Sequence, residues 1–265
     1  MTRKNRQLRL GDALSATVPG MIRGWRTAWG AVVVGTVVWG VRPFVADSLV
    51  WAWTLAAVAA TLMLTGALTR VSISADQADA RRLGLGPVGL QFKMPELRLA
   101  GAAALWAVFM AMIVSVVALV LLAVFGMAGL DASAIQAREW AAVGPAWKLV
   151  LLAVLTVGVL FAVAALIVRL SLFAAATVGR GHMVSLNSMA LTRDVFWPLF
   201  AGLILVAVPK FLLIGLWSMG LLTGAVGWVV WAVILNVVQG PLALAYLGAV
   251  YRQVESHTPQ GGARD

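Results

Sequence analysis

Residues 99–125, LAGAAALWAVFMAMIVSVVALVLLAVF, form a long apolar run without a single charged side chain. About 20 consecutive apolar residues are enough for an α-helix to cross the hydrocarbon core of a bilayer. This run therefore predicts a transmembrane helix. The rest of the chain has the same character, because 62% of its 265 residues are hydrophobic and only 11% are charged.

Five further apolar runs share this pattern, at about 28–44, 48–68, 147–168, 195–222 and 228–250. We predict an all-α fold, a polytopic membrane bundle of six transmembrane helices that fills residues 28–250. Residues 1–27 read as a basic amphipathic segment, and residues 251–265 as a disordered polar tail. The N-terminal segment fits either an interfacial helix or an ordinary basic flank of the first span, and the pattern leaves both open.

The basic residues orient the predicted bundle. Sixteen of the 20 Lys and Arg residues fall in the N-terminal segment, the 70–98 loop, the 169–194 gap and the C-terminal tail. Six spans bring these four segments to one side of the membrane. Because basic residues are retained on the cytoplasmic side, both termini are predicted to be cytoplasmic. The chain is therefore predicted to cross a membrane several times.

The net charge of +10 has the same explanation, so we expect no nucleic-acid partner. The chain has no cysteine and only two histidines, and it lacks the usual nucleophile and metal-binding motifs. We therefore predict a protein that is not an enzyme and that has no cofactor or metal. The expected partners are the phospholipid bilayer and, as a second kind, other membrane proteins.

Lys210 is the one basic residue that the predicted topology leaves inside a span. An ammonium at that depth is costly unless it reaches the interface, finds a polar partner or lines a wet cavity. Pro209 precedes it and predicts a kink. A polar pocket of Lys210 with Asn236 and Gln239 is one interpretation; a snorkelling lysine beside two helix-packing amides is the other.

The segment Gly84-Leu-Gly-Pro-Val-Gly89 matches the GxGxxG string of dinucleotide-binding folds. No strand–turn–helix unit surrounds it, and Pro87 fits a phosphate-binding turn poorly. We interpret residues 83–99 as an irregular element that lies against the inner head groups.

Four short segments resemble a known pattern: Arg169-Leu-Ser-Leu172, Ser188-Met-Ala-Leu-Thr-Arg193, Phe196-Trp-Pro-Leu199 and Tyr251-Arg-Gln253. The pattern is similar to the bacterial superfamily of glycerophosphodiester phosphodiesterase membrane domains and their stand-alone YciC-like relatives. It covers about residues 165–253. The resemblance implies a six-helix bundle that crosses the bacterial inner membrane, with the arginine-containing gap on the cytoplasmic side. It does not imply phosphodiesterase activity, which in that group belongs to a separate soluble barrel domain.

Arg169, Arg180 and Arg193 form the second candidate site. Their guanidinium groups are suited to contact inner-leaflet phosphates, and the alternative is that they only set the topology. The function predicted from the sequence is a lipid- or partner-interacting factor of envelope or membrane homeostasis. The alternative is a transporter or permease subunit with a polar pocket around Lys210.

Overall fold

The computed structural model describes residues 8–92, 94–137, 139, 142–182, 189, 192 and 195–256. Every regular element in this part of the chain is helical. The α-helices are α1 (Leu10–Gly40), α2 (Val50–Ile73), α3 (Gln77–Arg82), α4 (Met94–Met127), α5 (Ala132–Ala137), α6 (Ala146–Leu170), α7 (Phe173–Arg180), α8 (Phe196–Val206), α9 (Val208–Ser218), α10 (Gly224–Val233) and α11 (Gly240–Ser256). A π-helical turn, Ile234–Gln239, joins α10 to α11.

Four helical stretches are long and apolar enough to cross a membrane: Asp47–Ile73, Pro87–Met127, Ala146–Arg180 and Gly224–Glu255. The pair α8 and α9 would make a fifth if it forms one span, although its two halves are bent by 48°. The prediction of an all-α chain with several membrane-length helices is confirmed. Of the six predicted spans, the run at 28–44 is not among these stretches.

The first helix explains that difference. Instead of an amphipathic segment ending at 27 and a span beginning at 28, the chain forms one helix, α1, from Leu10 to Gly40. Asp12, Arg23 and Arg26 lie in its first half, so only its second half is strongly apolar. At the predicted boundary between residues 27 and 28, α1 has a kink: the backbone of Ala28 is not helical (φ −122°, ψ 26°). Residues 1–7 lie outside the described part.

Small side chains let α1 pack closely against its neighbours. Its buried side includes Ala13, Thr17, Gly24, Ala28, Ala31 and Gly35. Such small residues at helical spacing allow backbones to approach, which is the usual basis of helix packing in membranes. α2 runs antiparallel to α1: Gly24 faces Leu68 at one end, and the Trp39 indole donates a hydrogen bond to the Thr61 hydroxyl (3.0 Å) towards the other.

A proline and a tryptophan join α1 to the end of the chain. Pro241 has no N–H, so it cannot bond the carbonyl of Val237 four residues earlier. The Trp25 indole N–H of α1 donates to that carbonyl instead, at 2.7 Å. Further along, Trp228 donates to the carbonyl of Trp39 (2.7 Å), so α10 and α11 run antiparallel to α1. A proline that weakens one helix thus creates an interhelical hydrogen bond.

The last helix extends beyond the predicted start of the polar tail at 251. α11 continues to Ser256, because Tyr251 and Val254 are buried in the same apolar cluster as Ala13 and Leu199. The backbone N–H of Arg9 donates to the Gln253 side chain (3.2 Å), which places the start of α1 beside the end of α11. Residues 257–265 lie outside the described part.

Residues 104–167 form a separate compact unit, distinct from the unit of residues 1–103 and 168–265. It contains most of α4 and α6, with α5 between them. Asp131 caps α5 by accepting hydrogen bonds from the Ser133 hydroxyl and from the backbone N–H groups of Ser133 and Ala134. These hydrogen bonds, the one from the hydroxyl first, lower the pKa of the Asp131 carboxyl. Lys148 donates to the carbonyl of Ala128 (2.8 Å) in the same unit.

Candidate functional site

Arginines from two other helices meet the C-terminal end of α2. The last carbonyls of a helix have no partner within the helix, and the helix dipole makes this end negative. Arg23 of α1 donates to the carbonyls of Ser74 (3.3 Å) and Ala75 (3.1 Å), which directly follow α2. Arg252 of α11 donates to the carbonyl of Ser72. These two cations therefore complete the end of α2 and bring three helices together.

A third arginine lies inside the same helix end. Arg70, in the last turn of α2, is buried and forms an ion pair with Glu96 in the first turn of α4, with 2.7 Å between the guanidinium Nη1 and the carboxylate Oε1. Only 1% and 0% of the two side chains are exposed. The Arg70 Nε donates to the carbonyl of Leu83 at 2.9 Å. The pair thus connects the end of α2, the loop after α3 and the start of α4.

This ion pair corrects the sequence interpretation in one respect. The sequence predicts that Arg70 belongs to a polar loop and that Lys210 is the one basic residue inside a span. The burial of Arg70 requires a local explanation more than Lys210 does, because Arg70 is among the largest side chains that the fold buries completely. A buried charge is tolerated only when it is paired and hydrogen-bonded. Gly66 provides the space, since a Cβ there would lie 3.0 Å from the Arg70 Nη1 and 3.2 Å from the Glu96 Oε1.

The loop that Arg70 holds packs against the middle of α1. We define the docked loop as residues 83–91. A Cβ on Gly30 would lie 2.7 Å from the Cγ2 of Val88, and a Cβ on Gly89 would lie 2.8 Å from the Cα of Ala28. Gly86 donates its N–H to the buried Gln91 side chain (2.7 Å), which closes the loop on itself. The structure shows that this segment packs against α1, and its predicted position at the inner head groups stays a prediction.

Backbone strain marks the tip of the docked loop. Val88 has a positive φ of 50°, and no other non-glycine residue among those described does. For a β-branched residue this conformation is a genuine outlier that persists only where the surroundings impose it. Gly89 follows with φ 82°, a conformation that glycine adopts at no steric cost. The packing against Gly30 and Ala28 is what imposes this local backbone.

The three residues of the predicted polar pocket lie in different surroundings. Lys210 is exposed in the first turn of α9, and it makes no hydrogen bond or ion pair with any described residue. Asn236 is buried, but its amide donates to the carbonyl of Ala232 within its own helix (2.8 Å). Gln239 ends the π-helical turn, with its side-chain oxygen buried. The structure gives no hydrogen bond between Lys210 and either amide.

The three arginines of the predicted phosphate site are also not one cluster. Arg169 is exposed at the end of α6, with its guanidinium carbon 5.7 Å from the centre of the Phe196 ring. Arg180 ends α7 and pairs with Glu255 of α11 at 3.5 Å. Arg193 lies outside the residues that the structure describes. Arg180 is therefore partly neutralised, and Arg169 keeps an open guanidinium.

Three other arginines are exposed and not engaged. Arg26 lies on α1, and Arg81 and Arg82 end α3. None of them makes a hydrogen bond or ion pair with the residues that the structure describes. They differ in this from Arg23, Arg70 and Arg252, whose guanidinium groups are used within the fold. We call Arg23, Arg70 and Arg252 the structural set and Arg26, Arg81 and Arg82 the open set; Arg169, which lies against the Phe196 ring, belongs to neither.

The chemistry offered by the open set is anion binding. Guanidinium groups present several donors in a planar fork that matches the oxygen atoms of phosphates. Among the described residues, no group of three or more His, Cys, Asp or Glu side chains is placed to hold a metal ion. Comparison with known proteins adds no assignment: no family model, curated protein or solved structure matches the chain. The resemblance of residues 165–253 therefore stays a prediction.

Substitution tests directly how much the buried ion pair of Arg70 and Glu96 contributes to stability. Replacing Glu96 by Gln leaves the Arg70 guanidinium buried without its counter-charge, and we expect this to lower the free energy of unfolding by about 3–5 kcal/mol. Arg70→Met alone leaves the Glu96 carboxylate buried without its counter-charge, and we expect a loss of similar size. The double variant R70M/E96M removes both charges and should lose only about 1–3 kcal/mol, from the unpaired carbonyl of Leu83. The measurement is reversible unfolding of the purified protein in mixed micelles.

A double variant as unstable as the sum of the two single variants would contradict this account. Gly11→Ala is a suitable control for handling effects, because a methyl group there meets nothing within 4 Å.

Proposed function

We propose that this chain is an integral protein of the bacterial inner membrane that acts by binding anionic phospholipids at its arginine-rich end, without catalysis. Its role would be that of a lipid- or partner-interacting factor of membrane homeostasis. The observation that carries the proposal is the division of the arginines. Arg23, Arg70 and Arg252 satisfy the fold, whereas Arg26, Arg81 and Arg82 are exposed without partners among the described residues.

The open arginines share one end of the molecule with the structural set. Arg81 and Arg82 end α3, which directly follows the end of α2 that Arg23 and Arg252 cap. Each basic residue near an anionic membrane surface contributes about 1 kcal/mol to the attraction. A surface of this kind, placed where apolar helices leave the bilayer, favours anionic over zwitterionic head groups.

We further propose that α1 supplies a crossing in addition to the four stretches and the bent pair, which gives six in total. α1 contacts α2 from Gly24 to Trp39, and its length of 31 residues exceeds the roughly 20 that a bilayer needs. A helix packed antiparallel along a membrane-spanning partner crosses with it. Its polar first half then lies at the same end as Arg252, and positive charge retains that end in the cytoplasm.

The transporter alternative predicted from the sequence needs a polar path through Lys210, Asn236 and Gln239. No described contact favours it, because the amide of Asn236 is already bonded within its own helix. We therefore carry the lipid-binding proposal forward.

The proposed topology predicts which positions react with a membrane-impermeant maleimide in intact cells. The absence of native cysteine makes single-cysteine variants at the exposed positions Ser15, Ser48 and Ala78 clean reporters. Ser48→Cys should be labelled in intact cells. Ser15→Cys and Ala78→Cys should be labelled only after the membrane is permeabilised, since α1 and α2 carry the chain outward and back. Labelling of both Ser15→Cys and Ser48→Cys in intact cells would refute a crossing by α1.

Lipid binding is tested by native mass spectrometry of the protein after exchange between phosphatidylcholine and phosphatidylglycerol. We expect phosphatidylglycerol to be retained preferentially, and the preference to fall when Arg26, Arg81 and Arg82 are all replaced by Gln. Replacing Arg42, which is half-buried just beyond the opposite end of α1 and lies over the Trp53 ring, is a control for the loss of a single positive charge away from the proposed surface. Equal retention of both lipids by the unmodified protein would contradict the proposed function.

A further inference from the structure

A cleft of about 300 Å³ opens between α1, α3 and the docked loop. Its polar lining comes from Thr27 of α1 and from Gln77 and Arg81 of α3. Leu85, Pro87 and Val88 of the docked loop form the apolar side. The volume lies at the lower end of the range in which proteins hold small molecules or parts of larger ones. It is therefore large enough for one head group and too small for a whole lipid.

The polar side of the cleft contains a guanidinium group that is free to donate hydrogen bonds to a ligand. Arg81 is exposed and lines the cleft, and its guanidinium makes no hydrogen bond or ion pair with the described residues. The carboxylates nearest to it in the sequence, those of Asp76 and Asp79, form no ion pair with it among the described contacts. Asp76 accepts from the N–H of Asp79 (2.8 Å), and Asp79 accepts from the N–H of Ala75 (3.2 Å). An arginine left open in this way is suited to a phosphate oxygen.

The apolar side of the cleft is fixed in place before any ligand arrives. Val88 is held at its positive φ by the contact with Gly30, and Leu85 is buried against the cluster that includes Ala28. The buried ion pair of Arg70 and Glu96 retains the loop through the carbonyl of Leu83. Strained residues of this kind are concentrated at ligand clamps and switch regions. Preorganised walls reduce the ordering cost that binding would otherwise carry.

We infer that this cleft is a specific site for the phosphate group of an anionic phospholipid, with Arg81 as the main phosphate ligand. Gln77 donates a second hydrogen bond from its amide, and the glycerol backbone of the lipid lies against Leu85, Pro87 and Val88. The inference rests on the proposed function and makes it specific: one arginine of the open set acts within a site, and the others act only through their charge.

Arg82 provides a matched control for the test. It is adjacent to Arg81 on the same short helix, it is also exposed, and it does not line the cleft. Arg81→Gln and Arg82→Gln therefore remove the same charge at almost the same place. The experiment measures, by native mass spectrometry, the dissociation constant of the full-length protein for short-chain phosphatidylglycerol.

Arg81→Gln should weaken binding about tenfold or more, as expected for the loss of a hydrogen bond between charged groups. Arg82→Gln should change it only slightly. Equal weakening by both variants would overturn the specific site while leaving the proposed function standing. An unmodified protein that retains no phosphatidylglycerol would refute both. Thermal stability should be unaffected by Arg81→Gln, because the side chain has no partner within the described fold; a lowered stability would also contradict the assignment.

A second arm distinguishes a lipid phosphate from a free one. Inorganic phosphate is added to the unmodified protein with its lipid bound. A phospholipid held by both its phosphate and its glycerol backbone should remain bound. Displacement of the lipid by inorganic phosphate at a comparable concentration would assign the cleft to a soluble phosphate and overturn the lipid form of the inference.

Discussion

The end of α2 imposes the constraint on which the rest of this fold depends. A helix that stops inside a bundle leaves carbonyl groups without partners, and the surrounding apolar residues cannot satisfy them. In this chain the partners are arginines from α1 and α11, which donate to the carbonyls at and just after the end of the helix. Arg70 adds a buried charge at the same place, and Glu96 neutralises it. Four segments that are distant in the sequence meet there because of this one requirement.

The same requirement separates structural from functional charge. Counted together, the basic residues at this end indicate only the positive-inside rule. Their contacts separate two kinds of arginine. One kind holds helices together and consists of Arg23, Arg70 and Arg252. The other kind is exposed without a described partner and consists of Arg26, Arg81 and Arg82. The docked loop links the two sets, because the ion pair that fixes its start also positions the wall of the cleft beside Arg81.

The sequence predicted the helices well where a local signal existed. The uncharged run at 99–125 lies within α4, and Pro209 correctly predicted a bend, which the structure shows between α8 and α9. The charge of Arg70 was misjudged because polar residues follow it directly, as in a loop. Its burial depends on Gly66 one turn earlier and on Glu96 at the start of the next long helix. Opposite charges at the facing ends of two consecutive apolar helices were the available signal.

Other features could not be read from the chain because they arise from packing. The contact of the docked loop with Ala28 and Gly30, for example, depends on how α1 lies beside it. The sequence predicts Lys210 inside an apolar span, whereas in the structure its side chain is exposed at the bend between α8 and α9. The cleft beside Arg81 likewise joins α1 to α3, two elements separated by all of α2.

The claim that the ion pair of Arg70 and Glu96 holds the docked loop within the helical layer is tested most directly by cysteine reactivity in native membranes. Leu85 is buried, and Leu90 of the same loop is exposed. Leu85→Cys should therefore react with a water-soluble maleimide much more slowly than Leu90→Cys, and adding Glu96→Gln should raise its rate to that of Leu90→Cys. A Leu85→Cys variant whose slow reaction is unchanged by Glu96→Gln would contradict the account.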